Sequence, residues 1–140
     1  MPYERTIVCL AASIKHGGLC IAGRVYEDDS LGEWIRPIGH RSSHEIKYYE
    51  VRKNNGEPTM ILDVVTMTLD APKPSGHQSE NHLISEAVSW RHEGRFTYEK
   101  LLNCLDSQLA GIWDLQGVAS DCVPARLASE FDHSMLLVRV

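Results

Sequence analysis

Two apolar runs interrupted by a pair of glycines constrain this chain more than anything else in it. Residues 6–14 are apolar at nearly every position, Gly17 and Gly18 break the run, and residues 19–25 resume it. A short apolar run without polar alternation suits a strand covered on both faces. Glycines supply the positive φ that a tight reversal between strands demands. The expectation is an antiparallel pair, with Gly23 marking a bulge or a close approach of backbone. Asp28, Asp29, Ser30, Leu31 and Gly32 read as a second turn. Residues 33–38 read as a third short strand, ended by Pro37, which has no N–H for a central ladder. Three strands joined by tight turns make a meander.

Residues 39–60 are polar and rich in charge, glycine and asparagine, with a short helical turn expected over residues 45–50. Loops of that length are often functional. Residues 61–70 form the clearest strand, because Val65, Met67 and Leu69 alternate with Thr66, Thr68 and Asp70. Ala71-Pro72-Lys73-Pro74-Ser75-Gly76 then punctuates the chain near its midpoint and suggests a division into residues 1–70 and 71–140. A polar cluster follows, and residues 88–92 read as another strand ended by Gly94. Tyr98, Leu101, Leu102 and Leu105 mark one face of a helix, with Thr97 as N-cap and Glu99 in its first turn. Pro124, Leu127, Ala128 and Phe131 repeat that spacing. The apolar residues 134–140 read as a last strand, which must pair inside a sheet. The fold class is therefore mainly β with short helices, arranged as small barrel-like sheets.

Composition narrows the function. With 140 residues, 43% of them hydrophobic, the chain can hold a core without metal or disulfide staples. Its net charge of -5 argues against coating duplex DNA through an overall field. A local basic groove stays open, since Lys15, His16, Arg24, Arg36, Arg41, Lys47, Arg52 and Lys53 all fall in the first half. Cys9, Cys20, Cys104 and Cys122 form no C-x-x-C pair, and the first three read as small buried hydrophobes. No apolar run reaches the ~18–20 residues of a membrane span, and residues 7–12 are too few for a signal peptide. A cytoplasmic protein without membrane, metal or cofactor is expected.

Four ordered blocks carry a family resemblance. They are Ile7-Val8-Cys9-Leu10-Ala11-Ala12-Ser13 with Lys15-His16-Gly17-Gly18 and Ala22-Gly23; Glu33-Trp34-Ile35-Arg36-Pro37-Ile38; Ile61-Leu62-Asp63-Val64-Val65; and Gly76-His77-Gln78-Ser79-Glu80-Asn81-His82-Leu83-Ile84. In these the chain resembles the prokaryotic family of dual OB-containing domains, over almost its whole length. The resemblance implies two OB-like modules in tandem and, by fold analogy, nucleic-acid binding. It brings no catalytic residues with it.

Three constellations can carry chemistry. Ser13, Lys15 and His16 flank a glycine turn whose N–H groups can hold a phosphate. Arg36 can supply a bidentate donor, and Trp34, on the same face, a plane for a base. The plain alternative is a polar turn, a packed indole and a solvated arginine. The second group is His77, Gln78, Glu80, Asn81 and His82. Its amides can read base edges, its His and Glu can act as acid and base, or the whole can be a self-bonded loop. The third, His40-Arg41-Ser42-Ser43-His44, reads as a basic loop; two histidines without further ligands make no metal site. Trp90 and Trp113 read as core.

The expected function is binding of single-stranded DNA or RNA. Lys15, His16 and Arg36 would contact phosphates, Trp34 would stack a base, and His77, Gln78, Glu80 and Asn81 would line the edge-reading segment. Two rivals stand beside it. One is an enzyme or sensor acting on a nucleotide-like ligand through His77 and Glu80 near Lys15 and Arg36. The other is a protein-interaction subunit of a larger complex. No residue set dictates a reaction.

Overall fold

The computed structural model describes residues 1–105 apart from His16, Val51, Arg52 and Ala87, together with Met135 and Leu137; of Lys15 only the backbone is described. Among these residues the strands are β1 (Tyr3–Lys15), β2 (Gly18–Glu27), β3 (Ser30–Ile38), β4 (Asp63–Pro72), β5 (Asn81–Ile84) and β6 (Arg91–Arg95). They lie in the order β1-β2-β3-β5-β4-β6, and β4 also pairs with β1. The first five strands therefore close into a barrel. Its neighbours run antiparallel except β3 and β5, which are parallel. β5 and β6 share one edge of β4: β5 takes residues 69–72 and β6 takes residues 63–66.

The expected meander is present, and the glycines explain its shape. β1 pairs with β4 as far as Val8, and its register against β2 slips between Cys9 and Ala11, opposite Gly23. A Cβ on Gly23 would stand 2.1 Å from the Val8 carbonyl oxygen, so the strands can approach only through glycine. Beyond the slip, residues 11–15 pair with β2 and not with β4.

Ile7, Cys9, Leu19, Ile21, Ile35, Val65, Met67, Leu69 and Ile84 fill the barrel. Val8 points the other way and packs with Val64 and Phe96 in a second, smaller cluster that also takes in Leu101 and Cys104. Ile7, Val8 and Cys9 are wholly buried, as cover on both faces requires, but the expectation fails for residues 11–14, which are exposed, Ile14 at 74%. The outer cluster is covered by α1 (Tyr98–Leu101) and the 3-10 turn that continues it to Cys104. Thr97 caps the helix by accepting from the Lys100 N–H at 3.3 Å.

Residues 39–62 are less irregular than their composition suggests. Ile46 exchanges backbone hydrogen bonds with Leu19, at 2.7 and 3.0 Å, and its side chain enters the barrel core. The helical turn within this segment is a 3-10 turn at Tyr48–Glu50.

Three expectations need revision. Residues 81–84 were expected to be a polar cluster leading into an apolar pair; they are β5, because pairing with both β3 and β4 replaces the missing hydrophobic pattern. Gly94 does not end a strand at residue 92; it lies within β6 at φ 150, where the register against β4 slips between Val64 and Val65. The Pro-rich segment is a reversal within one sheet: Ala71 and Pro72 belong to β4, and Ser75 and Gln78 pair across a turn at Gly76. The expected division after residue 70 thus falls inside β4, with β5 beyond it in the same barrel. Trp90 is core, 1% exposed. Trp113, Cys122 and the helix expected over residues 124–131 lie outside the described residues, and of the strand expected over 134–140 only Met135 and Leu137 are described. No helix among the described residues is long and apolar enough to cross a membrane.

Candidate nucleic-acid interface

The parallel pairing of β3 with β5 brings together two stretches that lie far apart in the chain. Arg36 stands opposite Asn81. The Arg36 N–H donates to the Glu80 carbonyl at 2.8 Å, and its guanidinium Nη2 meets Glu80 Oε1 at 3.0 Å. The Glu80 side chain is 5% exposed and that of Arg36 22%. A buried carboxylate held by a half-buried guanidinium is well compensated, and it lowers the positive potential that Arg36 presents outward.

Trp34 shares Arg36's face of β3, since Ile35 between them points into the core. It is half-buried, and its indole Nε1 is buried without a hydrogen-bond partner among the described residues. Its cross-strand neighbour is Arg24, whose guanidinium donates to the carbonyls of Gly32, Cys104 and Leu31 at 2.7, 2.7 and 3.2 Å.

The 77–82 segment bonds both within itself and to β1, β3 and the chain before it. Asn81 is fully buried, its Nδ2 donates to Gln78 Oε1 at 3.2 Å, and its carbonyl accepts from the Lys73 N–H at 2.7 Å. Asn81 Oδ1 has no partner among the described residues. His77 is half-buried. His82 meets Tyr3, whose hydroxyl lies 2.5 Å from Nδ1 with the rings edge to face. Burial lowers the His82 pKa, Glu33 opposes this and Arg5 adds to it, so a neutral ring is favoured and can accept from Tyr3.

Lys15 pairs through its backbone with Gly18 across the β1–β2 turn. The side chain of Lys15, and His16 entirely, lie outside the described residues. Gly18 serves packing: a Cβ there would stand 2.7 Å from the Ile46 carbonyl oxygen. His40 Nε2 lies 2.9 Å from the Ile84 carbonyl oxygen and 3.4 Å from Asp70. Among the described residues no three His, Cys, Asp or Glu side chains converge as metal ligands would.

Two clusters escaped the sequence. Asp63, 1% exposed, accepts from Lys53 Nζ at 3.1 Å, Arg95 Nη1 at 3.0 Å and the Met60 N–H at 2.8 Å, tying β4, β6 and the long loop together. Arg41 makes a two-pronged pair with Glu50 at 3.0 and 3.2 Å and donates to the Tyr49 hydroxyl at 3.2 Å. Beside it Glu45 is buried against Ser43 and Lys47, and the Ser43 hydroxyl, then its own backbone N–H and Lys47, outweigh burial and hold its pKa down at about 2. For this region the sequence offered a basic loop over residues 40–44 and a helical turn over residues 45–50, but no pairing between them.

No curated protein and no solved structure matches the chain. A family model does: the dual OB-containing domain matches residues 5–140, which is nearly the whole sequence. The closed barrel, mainly of strands, with its β1-β2-β3-β5-β4 order, agrees with that match, and the chain belongs to the dual OB-containing domain family.

Proposed function

We propose that this protein binds single-stranded DNA or RNA along the outer face of β3 and the β4–β5 turn. The observation that carries the reading is the β3–β5 pairing, which sets Arg36 opposite Asn81 with its guanidinium against Glu80 at the end of the β4–β5 turn. OB barrels bind oligonucleotides on the β2–β3 face between the β1–β2 and β4–β5 loops. The β1–β2 turn here carries Lys15 and His16, and the β4–β5 turn carries His77 and Gln78. In this reading Lys15, His16 and Arg36 neutralise phosphates, while Trp34 offers the exposed part of its ring to a base. Gln78 and Asn81, which hold one another, shape the turn more than they read bases. A tandem of two such modules, as the family name implies, would lengthen the path available to a strand.

The test is fluorescence anisotropy with labelled single-stranded oligonucleotides. Arg36→Ala should weaken binding about 10-fold or more, the loss of one charged hydrogen-bonding contact of roughly 1.5 kcal/mol. Glu80→Gln should tighten binding, because it removes the carboxylate that compensates Arg36. Circular dichroism of both variants checks that the barrel is intact. Folded variants that bind like the wild type would place the interface elsewhere.

A further inference from the structure

Base stacking needs an exposed aromatic plane, and the half-buried Trp34 supplies little of one. Tyr49, in contrast, is 69% exposed. It is also fixed in place. Its hydroxyl accepts from Arg41, Arg41 is gripped by both carboxylate oxygens of Glu50, and Glu50 accepts from the Lys47 N–H at 2.7 Å. A ring held at its hydroxyl end presents its faces to solvent with little freedom left to lose on binding.

Tyr49 and Arg41 form one side of a cleft of about 540 Å³, a size suited to a small ligand. Val88, 44% exposed, contributes an apolar surface to the same lining, and Ser85, Ser89 and Glu86 add polar groups. Two hydroxyls can donate or accept. An ionised Glu86 can only accept, so it favours a ring that carries an amino group. Arg41, a third exposed, lines the same cleft and is the cation offered to a backbone phosphate.

We propose that this cleft is a nucleobase subsite, taking cytosine or adenine with the ring stacked on Tyr49 and the exocyclic amine on Glu86. It rests on the nucleic-acid reading above and adds to it a position on the long loop rather than on the barrel strands. It also gives that loop's exposed tyrosine and its ionic brace a purpose.

The experiment uses the full chain with labelled oligo-dC, oligo-dA and oligo-dT, and with free CMP and AMP. The dC and dA strands should bind at least about 5-fold more tightly than dT, the discrimination expected of a good base-edge contact. Tyr49→Ala should weaken dC binding about 5- to 150-fold, and Tyr49→Phe should keep most of the affinity. Glu86→Gln should erase the preference for dC over dT. If the wild type binds oligonucleotides and both Tyr49→Ala and Glu86→Gln leave affinity and base preference unchanged, the subsite is refuted while the barrel reading stands. If the wild type binds neither oligonucleotide nor nucleotide, both fall.

Discussion

Asp63 shows how one buried charge can organise three segments. Burial pushes its pKa up, but the Met60 N–H, Lys53 and Arg95 outweigh that and hold it below the usual carboxylate value. The folded state therefore favours the ionised form. The stability this contributes is present above the unfolded carboxylate pKa of roughly 3.9 and is lost as pH falls through the lower folded value. Acid denaturation of Asp63→Asn should accordingly show a shallower loss of stability below about pH 4 than the wild type. Asp63→Ala leaves Lys53, 5% exposed, without its buried partner. We expect about 3 kcal/mol of destabilisation in urea, since removing one member of a buried pair strands the other. A loss below about 1 kcal/mol would mean that Lys53 finds water instead.

At the scale of elements, β5 is the piece that makes this sheet a barrel. It is four residues long, yet it bridges β3 and β4. Its hold on β4 depends on Leu69 opposite Ile84, both essentially unexposed. Leu69→Ala should cost about 2–5 kcal/mol, the range for a buried leucine truncated where the surroundings cannot collapse. Because β5 also positions Glu80 beside Arg36, that variant should lose affinity for single strands together with stability. Thermal melts and anisotropy on the same sample would show whether the two losses travel together. An unchanged melting temperature would mean that β5 does not close the barrel tightly.

At the scale of the whole molecule, binding must be local, because the chain carries a net charge of -5. Two or three neutralised phosphates would give a slope of log K against log salt of about -1.5 to -2, at roughly -0.7 per phosphate for a single strand. Measured between about 50 and 300 mM salt, a much steeper slope would reveal a larger basic surface than the described residues present.

The meander of β1, β2 and β3, the alternating β4 and the Thr97 cap were legible in the sequence, because each is encoded by neighbours along the chain: a glycine pair, a period of two and a capping hydroxyl; the helix's expected face was not, since Tyr98 and Leu102 are exposed and α1 stops at Leu101. The unalternating residues 6–14 pointed to cover on both faces, which holds for Ile7, Val8 and Cys9 and fails for the exposed residues 11–14. Charge partners carry no such local mark. Arg36 with Glu80, Asp63 with Lys53 and Arg95, and Tyr49 with Arg41 are defined by where strands and loops end in space. Whether Arg36 meets water or a carboxylate and whether residues 81–84 form a strand were settled by barrel closure, since it alone sets which distant side chains share a low-dielectric surface.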